Sequence, residues 1–237
     1  MGLLDLPAPL FSGLDEWFAG LLTPTGALAV WAALGAFLCM ECYRLLSPQR
    51  RIAEIKVKLE QTRQRLATFD GEFEEAWPQI RSMLSLAFRR VALVFPATLV
   101  ASLPLLLVIV WLDTQYGGTY PPPETPVRVA VDGSYAGRWI DDGTPRAQIV
   151  DPMGAPVAEI PVKKPVPIIE KRHWWNALIG NPAGYLADDL PFDRVTIDLP
   201  RREILPVGPA WLRGWEIPFF VALTLFALAF KSIRGIA

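Results

Sequence analysis

The sequence predicts an α-helical membrane protein with three transmembrane helices, a cytoplasmic antiparallel helical hairpin and a small β-rich extracytoplasmic domain. Three observations carry that expectation. Hydrophobic residues make up 52% of the 237 residues, and many gather in three runs at or near the ~20 apolar residues that a ~30 Å hydrocarbon core requires. The charged stretch between the first two runs repeats its apolar residues at steps of three and four, the spacing of a helical seam. Between the second and third runs, short alternating stretches are punctuated by Asp-Gly pairs, which mark hairpins. The net charge of -1 says little about partners, because the charges are segregated along the chain and cancel only in the sum.

In chain order the expected units are an extracytoplasmic amphipathic helix over residues 1–24, a first span over 25–46, a hairpin over 47–90, a second span over 91–112, a β-rich domain over 113–210, a third span over 211–231 and a cytoplasmic tail over 232–237. In the first unit Leu10, Phe11, Leu14, Trp17, Phe18, Leu21 and Leu22 recur at helical spacing, with Asp15 and Glu16 expected on the opposite face. Pro7 and Pro9 limit its backward extension.

The hairpin is expected to begin with Ser47 as cap and Pro48 at the first helical position. Its seam runs through Ile52, Ile55, Leu59, Thr62, Leu66, Phe69, Phe73, Ala76, Ile80 and Met83. Gly71 and Pro78 interrupt the pattern, so two antiparallel helices, roughly Pro48 to Phe69 and Glu72 to Arg90, are expected instead of one rod. The seam can zip these arms together or present a stripe to another protein. The outer face carries Arg50, Arg51, Lys56, Lys58, Arg63 and Arg65, suited to anionic lipid or to a ribosome, with lipid the favoured partner.

Orientation follows from the flanks. Residues 1–26 hold no Lys or Arg, whereas basic residues follow the first span, precede the second at Arg89 and Arg90, and follow the third at Lys231 and Arg234. The positive-inside rule puts the amino terminus outside and the hairpin and carboxyl terminus in the cytoplasm. The start lacks a basic n-region, so the first span is expected to act as the targeting element. Pro96 and Pro104 should kink the second span. The third is short unless Trp211, Leu212 and Trp215 sit among headgroups and Lys231 snorkels.

The extracytoplasmic segment opens with a stiff linker, Tyr120 to Pro126. Strands are expected at Val127–Val131, Tyr135–Ile140, Ala147–Val150, Val157–Val162 and Val195–Leu199, with a short helix within Lys171–Ile179. Without cysteine, this domain is expected to have a thin core.

The residues offer no catalytic constellation, cofactor motif or metal-ligand set. Cys39 and Cys42 form an isolated pair in an apolar helix, His173 has no clustered carboxylate or thiol, and Asp141, Asp142 and Asp151 fit turns better than a calcium loop. The sequence is therefore not expected to be an enzyme. Polar residues of the spans are the remaining candidates: Glu41 and Arg44, three apart and able to pair with each other, on the first, Arg90, Thr98 and Ser102 on one face of the second, and Thr224 on the third. They can line a groove open to the cytoplasm. Arg44 and Arg90 can equally snorkel at the inner interface, and Thr98 and Ser102 can bond to the backbone beside the prolines.

An outside amino terminus with an amphipathic helix, a first span ending in Glu41-Cys42-Tyr43-Arg44, a basic hairpin from Ser47 to Arg90, a proline-containing second span and a third span with an inside carboxyl terminus resemble one known layout. It is that of the three-span members of the YidC/Oxa insertase superfamily, which include archaeal YidC-like proteins and the equivalent subunit of the eukaryotic endoplasmic reticulum membrane complex. The resemblance covers residues 1–117 and 211–237. It implies a hydrophilic groove that helps a nascent transmembrane segment enter the bilayer, with the hairpin contacting ribosome or substrate. Two features depart from it: Arg44 lies at the cytoplasmic end of the first span, where bacterial insertases carry a positive residue deeper in the groove, and the β-rich segment replaces a short connection. The expected partners are membrane lipids, nascent transmembrane segments or subunits of a membrane complex, and the ribosome; the expected location is the bacterial inner membrane. The competing expectation is a non-catalytic scaffold of a larger inner-membrane complex that docks a periplasmic partner through residues 113–210.

Overall fold

The computed structural model describes residues 2–122 and 125–235, apart from the side chain of Leu3. Met1, Pro123 and Glu124 of the expected linker, and Ile236 and Ala237 of the expected tail lie outside the described residues. A 3₁₀ turn, Leu3–Asp5, precedes α1 (Ala8–Ala19), α2 (Pro24–Leu46), α3 (Gln49–Ala67) and α4 (Phe73–Tyr116). Strands β1 (Arg128–Val131), β2 (Ala136–Ile140), β3 (Arg146–Val150), β4 (Pro156–Pro161) and β5 (Ile168–Glu170) follow, then α5 (Asn176–Ile179), β6 (Arg194–Ile197), α6 (Ala210–Arg213) and α7 (Glu216–Arg234). Among the described residues, α2, α4 and α7 are long and apolar enough to cross a membrane. The chain divides into two compact units, one of residues 1–31 and 107–221, the other of residues 32–106 and 222–237.

Helix boundaries follow from local chemistry. Thr23 accepts a hydrogen bond from the Gly26 amide through Oγ1 at 3.3 Å, and Pro24 takes the first turn, where its missing N–H costs nothing. Ser47 does not cap the next helix: its buried hydroxyl takes the side-chain amide of Gln49, and Pro48 precedes the first helical residue. Thr68 closes α3 by donating to the carbonyls of Gln64 and Arg65 at 3.1 and 3.3 Å.

The largest departure from expectation is α4. It starts after Gly71, as the sequence suggests, but passes Pro78, Arg90, Pro96 and Pro104 without ending, over 44 residues. Pro78 frees the carbonyl of Glu74, which lies in the exposed first turn, so the helix continues at little cost. The expected second hairpin arm and second span are one element, roughly 66 Å long at ~1.5 Å per residue and twice the hydrocarbon thickness. The third span differs too: Gly214 adopts an extended backbone and separates the single turn α6 from α7.

In the unit of residues 32–106 and 222–237, buried contacts between helices use small side chains, Ala32 and Ala36 on α2 and Ala97 and Ala101 on α4. At Gly35 a Cβ would lie 3.0 Å from Leu105 and 3.7 Å from Leu223, so its absence permits close approach of all three helices. Along α3 and α4 the seam residues Ile52, Ile55 and Ala76 are buried and most of the rest half-buried, whereas Phe73 stands exposed.

The other unit is built on an antiparallel six-stranded sheet, ordered β4-β3-β2-β1-β6-β5, that curls around a core of Val129, Ala147, Ile149, Ile160, Val162, Ile169, Leu186, Phe192, Val195 and Ile197. Gly133 and Gly143 take φ of 83° and 103° in the two Asp-Gly hairpin turns, conformations that disfavour other residues. In the second turn Asp142 is clamped by Arg146 at 2.5 and 2.8 Å, and these hydrogen bonds draw its carboxyl down to about 2. Asp151 accepts the amides of Met153 and Ala155 at 2.9 and 2.8 Å and so shapes the third turn. Strand β5, preceded by Pro165 and Pro167, was not expected; it pairs with β6 and completes the sheet. The linker is not free, since the Tyr120 hydroxyl donates to the Val162 carbonyl at 2.9 Å.

Helix α1 belongs to this same unit and departs from expectation at Asp15, whereas Glu16 is exposed and Phe11 and Phe18 of the apolar set turn inward. Asp15 is buried, and Oδ1 accepts hydrogen bonds from Trp31 Nε1 at 2.9 Å and from the Tyr116 hydroxyl at 2.8 Å. Around it Phe11, Phe18, Trp31, Trp111 and Tyr116 form a cluster with ring centroids 4.8–6.3 Å apart. Leu10 and Trp17 are each 64% exposed, and Leu14 and Leu21 also face outward. The burial of Asp15 has a physical reason: two buried N–H and O–H donors require an acceptor, and the carboxyl supplies it.

Asp15→Leu is expected to strand both donors and destabilise the purified protein by on the order of 2–4 kcal/mol, whereas Asp15→Asn, which keeps one acceptor oxygen, should lose less than half as much. Thermal unfolding followed by tryptophan fluorescence measures the difference.

Candidate functional site: a groove in the helical unit

Two neighbouring cavities lie within the unit of residues 32–106 and 222–237. The larger, about 440 Å³, is lined by Tyr43, Ile52, Leu59, Ala87, Arg90, Val91, Val94, Phe95 and Thr98. The smaller, about 280 Å³, is lined by Cys39, Met40, Tyr43, Val94, Thr98, Ala101, Ser102 and Lys231. Shared Tyr43, Val94 and Thr98 join them into one groove.

Helix α4 sets the stripe along this groove. Arg90, Val94, Thr98 and Ser102 recur every four residues, so one helical face presents a cation, a methyl-bearing side chain and two hydroxyls in sequence. Thr98 donates to the Val94 carbonyl at 3.0 Å and Ser102 to the Leu99 carbonyl at 2.8 Å. Both hydroxyls therefore bond to the backbone in the proline-containing segment and retain acceptor lone pairs. Arg90 makes no ion pair among the described residues. The surface between these polar points is apolar, formed by Ile52, Leu59, Val91, Val94, Phe95 and Ala101.

Of the six residues expected to form a groove, the structure brings Arg90, Thr98 and Ser102 together. Glu41 and Arg44 join an ion triad instead: Arg44 Nη2 is 2.7 Å from Glu41 Oε2, and Arg234 Nε is 2.9 Å from Glu41 Oε1. This triad ties the last turn of α7 to the end of α2. Thr224 lies on α7 and lines neither cavity. Tyr43, Cys39 and Lys231 line the groove although the sequence did not single them out for it. The signal for Lys231 was its position closing an apolar run, which read only as a snorkelling anchor.

The six basic residues of α3, Arg50, Arg51, Lys56, Lys58, Arg63 and Arg65, are all exposed, and none enters an ion pair among the described residues. They leave a cationic surface on the helix whose buried Ile52 lines the groove. In the sheet unit His173 stacks on Trp175, with ring centroids 6.0 Å apart and planes within 6°, and its amide donates to Asn176 Oδ1 at 2.7 Å. Among the described residues no group of three or more His, Cys, Asp or Glu side chains is arranged to hold a metal ion.

No protein family, curated protein or solved structure matched the chain.

Glu41→Ala should release the Arg234 end of α7. Because partly exposed pairs contribute about 0.5–1 kcal/mol each, amide exchange at Phe230–Arg234 is expected to speed up about threefold to tenfold, with Ala32–Ala36 of α2 unchanged.

Proposed function

We propose that the protein is a membrane-protein insertion or assembly factor of the YidC/Oxa type, spanning a bacterial inner membrane three times with its amino terminus outside and the α3–α4 loop in the cytoplasm. The observation that carries this reading is the groove of α2, α3, α4 and α7, apolar along most of its wall and furnished with Arg90, Thr98 and Ser102 on one helical stripe. An entering transmembrane segment needs an apolar surface for its side chains and polar groups for the flank that must cross first. Unaided, a charge at the bilayer centre costs about 3 kcal/mol on insertion scales and more in simulations of an isolated helix. Arg90, without an acidic partner among the described residues, is available to an acidic flank, and the two hydroxyls offer further polar contacts deeper along α4. The departure at Arg44 is then met from other helices, because the cations lining the groove are Arg90 of α4 and Lys231 of α7. The exposed basic face of α3 suits anionic lipid, and ribosomal RNA presents the same charge.

The scaffold reading draws on a different observation. The sheet unit has its own core and six strands, two of them edge strands, which is more structure than a connector between spans requires. A periplasmic subunit could add to an edge by strand pairing.

Photo-crosslinkers at Thr98 and Ser102 are expected to capture nascent transmembrane segments during synthesis, and Arg90→Glu should cut capture of clients with acidic leading flanks by about tenfold. Absence of capture at both positions, together with a stable partner captured from Trp139 in the sheet, favours the scaffold. A membrane-proteome survey after depletion identifies the clients in the first case and the co-depleted subunits in the second.

A further inference from the structure

A second site lies in the other unit, around the last turns of α4. Three cavities of about 390, 390 and 310 Å³ meet at Thr114 in its last turns. Each falls in the ~300–1,000 Å³ range of ligand sites. The smallest is basic: Lys163, Lys164 and Arg202 line it with Thr114, Thr119 and Tyr120, and no carboxylate contributes to its wall. Two of the cations are held in place. Lys164 Nζ donates to Gln115 Oε1 at 3.1 Å, while Arg202 donates to the Gln115 carbonyl at 3.2 Å and lies 4.8 Å from the Tyr116 ring centroid. None of the three forms an ion pair among the described residues, so the fold gathers like charges and leaves them uncompensated.

The second cavity shares Lys163, Lys164 and Thr114 with the first and is closed on its other side by Ala8, Pro9 and Ser12 of α1 and by Asp5. The third shares Asp5 and Thr114 with it and continues along Ile109, Val110, Val166, Pro167 and Trp215, with Asp113 also in its wall. A basic pocket therefore opens into a mainly apolar channel. Helix α1, which lines the second cavity through Ala8, Pro9 and Ser12, turns Leu10, Leu14 and Trp17 outward, side chains that suit hydrocarbon. This combination selects an amphiphile with an anionic head over a free anion, which has no use for the apolar arm, and over an acidic peptide, which would meet Asp5 and Asp113 along that arm.

We propose that the crevice binds one anionic phospholipid from the leaflet on the sheet side, with its phosphate on Lys163, Lys164 and Arg202 and the start of an acyl chain along Val110 and Trp215. This rests on the reading that α4 crosses the membrane. Basic pockets beside membrane helices bind acidic headgroups by the same charge-assisted hydrogen bonds. The lipid would neutralise the three cations and fill the space at the junction of α1, α4 and the sheet.

Native mass spectrometry of the full-length protein in neutral detergent, titrated with phosphatidylglycerol, phosphatidylcholine or inorganic phosphate, tests this. The expected result is retention of one phosphatidylglycerol at least tenfold more strongly than phosphatidylcholine, with no displacement by millimolar phosphate. K163Q, at an exposed side chain that makes no hydrogen bond among the described residues, should weaken retention about threefold to fivefold, and K163Q/K164Q/R202Q should abolish it. K163R should retain the lipid as the wild type does. Equal retention of the two lipids, displacement by phosphate, or unchanged retention in K163Q and the triple variant would overturn the proposal. Nascent-chain capture at Thr98 is a separate readout, so failure of lipid retention and failure of the insertion reading are distinguishable.

Discussion

One uninterrupted helix, Phe73–Tyr116, supplies residues to both candidate sites, and its continuity is the constraint on which the rest depends. Its stripe from Arg90 to Ser102 forms one wall of the groove, and its last turns carry Thr114, Gln115 and Tyr116, which shape the crevice and the aromatic cluster. Three prolines remove three backbone donors without ending the helix. The carbonyls they free, of Glu74, Ala92 and Val100, belong to exposed residues, the first flanked by charged residues and the others within the apolar run. In a bilayer the latter two would need water or a neighbour.

The span-length helices turn large apolar side chains outward. Phe220, Val221, Leu225 and Leu228 of α7 and Leu99, Val100, Leu103 and Leu106 of α4 face outward, whereas the buried positions on α2 and α4 include Ala32, Ala36, Ala97 and Ala101. Packing of large apolar residues against each other gives no advantage where lipid offers the same contact; close backbone approach and internal hydrogen bonds do. Asp15 is the clearest instance. Its carboxyl lies buried among Phe11, Phe18, Trp31, Trp111 and Tyr116, while Leu10 and Trp17 of the same helix face outward.

Much of this was legible in the sequence, for identifiable reasons. Span-forming helices need only length and composition, and Asp-Gly between alternating runs leaves few options but a hairpin, so α2, α7 and strands β1 to β4 fall close to where they were expected. The stripe of Arg90, Thr98 and Ser102 was legible because a period of four survives whatever the helix packs against. Asp15 turns inward because Trp31 and Tyr116, distant in sequence, donate to it, and helical periodicity does not encode such partners. Pro78 does not end α4, because a proline within the first turns of a helix removes a donor whose acceptor stays near water. Strand β5 is three residues long between Pro167 and a polar stretch, too short for alternation to register. Lys231 joins the groove, and Glu41 leaves it for Arg234, through contacts between helices distant in sequence, which no local pattern encodes.

The central claim is that α2, α4 and α7 cross the bilayer, leaving α3 and the sheet on opposite sides. Single cysteines at Lys56 and Lys163, in a chain with Cys39 and Cys42 replaced by serine, report this directly when intact cells are treated with a membrane-impermeant maleimide. The expected result is labelling at position 163 once the outer envelope is opened and at position 56 only after the inner membrane is lysed. Labelling of both positions under the same condition would contradict the three-span arrangement.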